Sequence, residues 1–315
     1  MTQRPANVLT LKELLAPTGR HGYAVGSFSP RYPRMIAPIL RAAQALASPA
    51  IVQISHKDMT RCGVSVEPFA EAFYRLSEEL EVTVPVTLHL DHTEDRAVIE
   101  EALAAGFTSV MIDASDLPLE ENIAVTRAVA DLAHACGVSV EGELGTLGAY
   151  GFSETEASES FLYTDAVDVA RFVEESAVDA LAVSVGTVHG VSADKPMTID
   201  VERLKAIRAQ TRIPLVLHGG SGVEAEMMHR ALHITGGGVS KVNLATDLEL
   251  AMLDALYSKE RLVDKQIEAL DDDALKRAQD AIEKVVREKI SRVLLSEGKA
   301  RHYQNEVQGN EAPNR

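Results

Sequence analysis

Leu88-His-Leu-Asp-His92 sets a carboxylate and imidazoles within one short stretch. Such neighbours serve two chemistries, proton transfer by the acid and metal coordination by the ring nitrogens. The stretch closes an apolar run, Val84-Pro-Val-Thr-Leu, and precedes Thr93-Glu-Asp-Arg and a helix-like segment from Ala97. Asp91 and His92 therefore fall at a strand's carboxyl end, where α/β proteins place their chemistry. Adjacent side chains of an extended chain point to opposite faces, so both reach one site only if the strand end twists. In isolation the plainer reading, a helix-capping Asp beside a partly exposed His, is the stronger one.

Other candidate strand ends carry the same kinds of residue: Ser55-His56, Asp113 with Ser115, Glu141 with Glu143, and His189-Gly190. Two more are His218-Gly-Gly-Ser-Gly222 and Asn243 with Thr246. In a closed barrel these ends share one mouth. His92, His189 and His218 then form a three-imidazole site with an open position, as catalytic Zn²⁺ requires. Glu143 can add an oxygen ligand, while Asp113 and Glu141 either hold a second, weaker divalent cation or orient the imidazoles. The glycine-rich turn after His218 and the segment Asn243-Leu-Ala-Thr246 suit phosphate held by backbone N–H groups, although a tight turn reads the same way. His56, His134, His229 and His233 read as structural.

Eight strand–helix pairs can be counted in the chain. The strand candidates are Tyr23–Ser29, Ala50–Ser55, Pro85–Asp91, Ser109–Ser115, Ser139–Gly145, Ala180–Gly186, Pro214–Gly220 and Lys241–Thr246. Helices are expected over Met35–Ala47, Val66–Leu80, Ala97–Ala105, Glu120–Cys136, Ala166–Ser176, Val201–Gln210, Glu224–Ile234 and from Asp247, with a short one at Leu9–Leu15. Apolar, β-branched strands alternating with helices predict an α/β fold, a (β/α)8 TIM barrel, with an open doubly wound sheet as the alternative. Lys259–Lys299 reads as two further charged amphipathic helices. The expected organisation is one domain over 1–300 and a polar tail over 301–315, frayed from about Tyr303.

The 315 residues, 46% hydrophobic and 25% charged, suffice for a full core. A formal charge of −16 argues against a nucleic-acid partner, which needs a basic face. Cys62 and Cys136 lack metal-type spacing and read as thiols of a reducing compartment. With neither a signal-peptide core nor a membrane-length apolar run, a cytoplasmic protein without membrane contact is expected.

The chain resembles the class II ketose-bisphosphate aldolases of the fructose- and tagatose-bisphosphate group. Six motifs carry the resemblance: Leu88-His-Leu-Asp-His, Met111-Ile-Asp-Ala-Ser, Val140-Glu-Gly-Glu-Leu-Gly, Gly186-Thr-Val-His-Gly, Val216-Leu-His-Gly-Gly-Ser-Gly and Lys241-Val-Asn-Leu-Ala-Thr. It implies a TIM barrel and zinc-dependent, reversible cleavage of a ketose phosphate to dihydroxyacetone phosphate (DHAP) and an aldehyde. Breaking a C–C bond beside a ketone leaves an enediolate, whose charge a Lewis-acidic Zn²⁺ stabilises without a Schiff-base lysine. By position, His92, His189 and His218 would be the zinc ligands, Glu143 an alternative ligand, and Asp91 the proton carrier at the C4 hydroxyl. Gly190, Gly219, Gly220, Ser221, Asn243, Leu244, Ala245 and Thr246 would hold DHAP, with a monovalent cation beside its phosphate. Ser55 matches a position for the distal phosphate. Relatives are homodimers or homotetramers, which the same resemblance implies here.

Departures cluster on the aldehyde side. Where relatives carry Gly-Gly and an acidic mobile loop, this chain has Gly148-Ala-Tyr-Gly-Phe-Ser-Glu. The proton-moving glutamate is missing at its place; Glu154 or Glu156 either replaces it or is solvated loop charge. Ser27-Phe-Ser29 stands for the usual Ala-Phe-Asn. The arginine that a neighbouring subunit offers to the distal phosphate has no clean counterpart, Lys276-Arg277 being nearest in register. An acceptor other than glyceraldehyde 3-phosphate is expected. Two readings from other classes remain, a metal-dependent barrel hydrolase and a non-catalytic member kept as a binding module.

Overall fold

The computed structural model describes residues 4–148, 162–190 and 197–303. Glu154, Glu156 and the tail after Tyr303 lie outside them. Eight strands form the frame: β1 (Val25–Phe28), β2 (Ala50–Ser55), β3 (Val86–Thr93), β4 (Ser109–Ile112), β5 (Ser139–Leu144), β6 (Ala180–Val183), β7 (Leu215–Leu217) and β8 (Val239–Leu244). Every pairing is parallel, each strand lies beside the next, and β8 pairs back onto β1. This closure removes the open-sheet alternative.

The helices are α1 (Leu11–Leu15), α2 (Thr18–His21), α3 (Ile36–Ala45), α4 (His56–Cys62), α5 (Val66–Glu79), α6 (Arg96–Ala105) and α7 (Leu119–Ala135). They continue as α8 (Ala166–Ser176), α9 (Val201–Gln210), α10 (Ala225–Leu232), α11 (Thr246–Ala255), α12 (Asp264–Glu268) and α13 (Asp272–Glu288). Most expected elements are present with ends moved by a few residues. The exceptions are the single turn α2 and helix α4, which the sequence reading left inside connections. The start of α4 is set by Ser55, whose hydroxyl accepts from the Asp58 N–H at 3.1 Å, and its end by Gly63 at φ 73. The two helices expected after residue 259 are α12 and α13, and α13 packs across α3 and α11. Lys299–Tyr303 forms a short 3-10 turn tied to α1, the Tyr303 hydroxyl donating to the Leu14 carbonyl at 2.5 Å.

Apolar packing divides into two parts. The larger lies between the sheet and the helix ring and is built from one face of each element. The smaller fills the amino-terminal end of the barrel: Val25, Ile51, Ala180, Ala182 and Val216 point inward, and α1 covers them with Leu11, Leu14 and Leu15. Because side chains alternate along a strand, residues two further on also face inward, one layer higher. There the barrel turns polar: Ser27 follows Val25, Gln53 follows Ile51, and His218 follows Val216. The apolar plug keeps water from this layer on one side and leaves the carboxyl-terminal mouth as its opening.

Candidate active site

A cleft of about 510 Å³ opens at that mouth, within the range of small-molecule sites. Asp91, His92, Asp113, Glu143, His189, Gly190, Gly219, Ser221, Asn243, Ala245, Thr246 and Ser55 all line it. The problem of adjacent Asp91 and His92 is solved by a bulge. Leu90 pairs with Val110 but Thr93 with Ile112, so β3 carries one residue more than β4 over this step. His92 takes φ 32, a left-handed conformation costly for a side-chain residue, and both groups face the cleft.

The three imidazoles meet there. Ring centroids are 4.4 Å apart for His92 and His218, and 4.9 Å for His92 and His189. One nitrogen from each of the three lies within 4.8 Å of the others. Second partners settle which nitrogens face the gap. His92 Nδ1 bonds Asp113 Oδ2 at 2.7 Å, and His218 Nε2 bonds Glu141 Oε1 at 2.8 Å. That leaves His92 Nε2, His218 Nδ1 and Glu143 Oε2 buried and without a well-formed hydrogen bond, the last two facing each other at 3.2 Å. Buried polar atoms are rarely left so, and three converging ones fit a cation with nitrogen and oxygen ligands. Carboxylates behind metal-facing imidazoles fix ring and tautomer, as Asp113 and Glu141 do here.

Of the two roles weighed for Glu141, the orienting one matches its contacts. Its second oxygen takes Lys241 Nζ at 2.8 Å, and it does not line the cleft. His89, Asp91 and Glu141 also have the spacing of a metal cluster. Lys241 Nζ already fills that place, 3.3 Å from His89 Nε2 and 3.6 Å from Asp91 Oδ1. An internal ammonium thus does what a second cation would do. Gly220 and Leu244 also depart from expectation. The Gly220 N–H is spent on the Asn243 carbonyl at 3.0 Å, and Leu244 belongs to the outer core, so neither lines the cleft.

Asp91 is held by two side-chain amides. Gln53 Nε2 donates to Oδ2 at 3.0 Å and Asn243 Nδ2 to Oδ1 at 3.0 Å, while the Ser27 hydroxyl donates to Gln53 Oε1 and so orients that amide. Burial pushes the Asp91 carboxyl up, but the charges of His92 and Lys241 outweigh it and hold it well below the usual carboxylate range. Burial and neighbouring imidazole charge push His189 down, which keeps its ring neutral. Burial pushes the Glu143 carboxyl up, and the His218 ring 3.2 Å from its Oε2 offsets only part of that.

Sequence reasoning missed His89, Lys241, Gln53 and Ser27. The signal was available: each stands two residues before a residue at the mouth, on a strand whose alternation is otherwise clear.

The comparisons with known proteins agree in direction. Residues 9–299 match the family model described as fructose-bisphosphate aldolase class-II. A 6-phospho-5-dehydro-2-deoxy-D-gluconate aldolase of Bacillus velezensis is 39% identical over 246 residues, 78% of this chain and 82% of the relative. A fructose-bisphosphate aldolase of Geobacillus stearothermophilus is 37% identical over 250 residues, 79% and 85% of the two chains. Among solved structures, the YdjI aldolase of Escherichia coli K12 superposes with a TM-score of 0.77 at 28% identity, covering 93% of this chain and 99% of that one.

Proposed function

The chain belongs to the class II fructose-bisphosphate aldolase family and is an aldehyde-lyase acting on a ketose phosphate, and from that premise we propose the following roles. His92, His189 and His218 hold one Zn²⁺, with Glu143 as an exchangeable fourth donor. The observation that carries this is the convergence of His92 Nε2, His218 Nδ1 and Glu143 Oε2, all buried, with His218 Nδ1 and Glu143 Oε2 3.2 Å apart and His92 Nε2 without a hydrogen-bond partner. Bound there, Zn²⁺ supplies Lewis-acid stabilisation of the charge that gathers on the ketose carbonyl as the C–C bond breaks.

Asp91 accepts the proton of the C4 hydroxyl and returns it in the condensation direction. Gln53 and Asn243 aim its oxygens, and Lys241 stabilises the ionised form from below. Gly190, Gly219, Ser221, Asn243, Ala245 and Thr246 hold the DHAP portion. A monovalent cation beside its phosphate fits the same reading. Ser221 is fixed for this by the Asp247 N–H, which donates to its hydroxyl at 3.3 Å. The substrates in the two relatives' names share a phosphorylated end and differ at the other, a second phosphate in one and a gluconate carboxylate in the other. The altered aldehyde side of this chain fits that division. A single domain over 1–300, a homo-oligomer and a cytoplasmic setting complete the proposal. No helix among the described residues is long and apolar enough to cross a membrane.

Exchange of a DHAP carbon-bound hydrogen with D₂O, followed by NMR, tests the chemistry without knowledge of the aldehyde. Exchange is expected with zinc-loaded protein, and its loss after chelation or in His189→Ala. A zinc-loaded protein that never exchanges would sink the aldolase roles and favour a hydrolase or binding module.

A further inference from the structure

Two acids, Asp247 and Glu249, stand in the first turn of α11, the helix end proposed to face the DHAP phosphate. A helix N-terminus attracts an acidic side chain and a phosphate through the same partial positive charge. An unmatched carboxylate there repels the phosphate it adjoins. Glu249 is matched, since Arg31 and Arg261 both pair with it. Asp247 is matched by Lys289, whose Nζ lies 2.5 Å from Oδ2. The two side chains are only 14% and 18% exposed, so solvent screens this pair less than it would a surface pair.

Asp247 also links α11 to the turn after β7. Its N–H donates to the Ser221 hydroxyl at 3.3 Å. Its Oδ2, the oxygen that meets Lys289, accepts from the Gly222 N–H at 3.4 Å. The Ser221 hydroxyl, used as an acceptor, keeps its own hydrogen for the cleft that it lines. Lys289 comes from outside the barrel. It opens a π-helical turn, Lys289–Val293, at the end of α13. That stretch is fixed at two points: His229 Nε2 of α10 donates to the Arg292 carbonyl at 2.8 Å, and the Ala24 N–H ahead of β1 donates to the Leu294 carbonyl at 3.0 Å. The ammonium is thus delivered to Asp247 from a fixed support.

We propose that Lys289 is a positioning residue for the phosphorylated end of the substrate: it cancels the Asp247 charge beside the phosphate and, through Asp247, holds the Ser221–Gly222 turn. This rests on the aldolase reading. Without Lys289 the site keeps every residue that touches substrate, but the phosphate meets an uncompensated carboxylate. The loss is one of affinity, not of the chemical step.

Exchange of DHAP hydrogen with D₂O separates the two, because it yields a half-saturating concentration and a saturated rate without any aldehyde. Lys289→Met should raise the half-saturating DHAP concentration about 3- to 10-fold, with the saturated rate changed less than about twofold. Lys289→Arg, which keeps the charge, should stay within about twofold of the original on both. Lys289→Met/Asp247→Asn removes both charges and should recover most of the affinity, an outcome that a role in folding alone does not produce. Should the methionine variant fail to fold, Lys289→Gln should show the same rise. A half-saturating concentration unchanged by either substitution would overturn the assignment. So would a saturated rate that falls while affinity is kept, or a double variant that binds no better than the single one. Absence of exchange in the unaltered, zinc-loaded protein would instead strike the aldolase chemistry on which the proposal stands.

Discussion

At the scale of single residues, the site depends on Lys241, an ammonium enclosed in the barrel and fully buried. Its partners, Glu141 and Asp91, are a ring-orienting group and the proposed proton carrier. Removing one member of a buried pair leaves an uncompensated charge, which costs roughly 3–5 kcal/mol. Lys241→Met should therefore lower stability by about that amount in a denaturant titration, and Lys241→Met/Glu141→Gln should recover part of it. A Lys241→Met protein as stable as the original would show that the ammonium is dispensable. His89 adds no charge here: burial and the nearby Lys241 push its imidazole down, and its Nδ1 meets Ser109 Oγ at 2.8 Å. These buried residues were hard to read in the sequence because a lone Lys or His in a strand looks like surface charge. Only the alternation with Asn243 and Asp91 marks them as inward.

At the scale of elements, strand ends and the turns after them decide what meets the substrate. The β3 bulge turns Asp91 and His92 to one side, and no residue type in Leu88–His92 announces it. The turn after β7 is more legible. Gly219 has φ 65, and a Cβ there would sit 2.2 Å from the Val188 carbonyl oxygen. Gly219→Ala should thus combine backbone strain with a clash against main chain, a loss above about 1 kcal/mol. It should also raise the KM for the ketose phosphate, since Ser221 moves with the turn. Steady-state kinetics with a thermal melt would check both; an unchanged KM at lowered stability would make the glycine a folding residue only. Helix α4 was missed because His56–Cys62 is short and polar, and its cap and stop, Ser55 and Gly63, also suit a plain loop.

At the scale of the whole molecule, closure of the sheet makes one mouth and the α1 plug makes one blind end. Leu14 is fully buried in that plug with Leu11, Val25 and Val216. Leu14→Ala should cost about 2–5 kcal/mol through the cavity it leaves. DHAP exchange at 25 °C should stay near the original rate, because the plug lies at the opposite end from the cleft. A large loss of exchange in a still-folded variant would contradict that separation. The family, the eight strand–helix units, and the three histidines, Asp91 and the turns after β7 and β8 as candidates were all legible in the sequence. Those signals are local, resting on short motifs and on strand and helix periodicity. That Lys241 occupies the second cation-like cluster, and that Gly220 and Leu244 leave the cleft, emerges from the closed barrel alone. Tertiary packing likewise sets Lys289 against Asp247. The physical reason is that burial, pairing and hydrogen-bond satisfaction are set by residues distant along the chain, and closing the barrel is what brings them together.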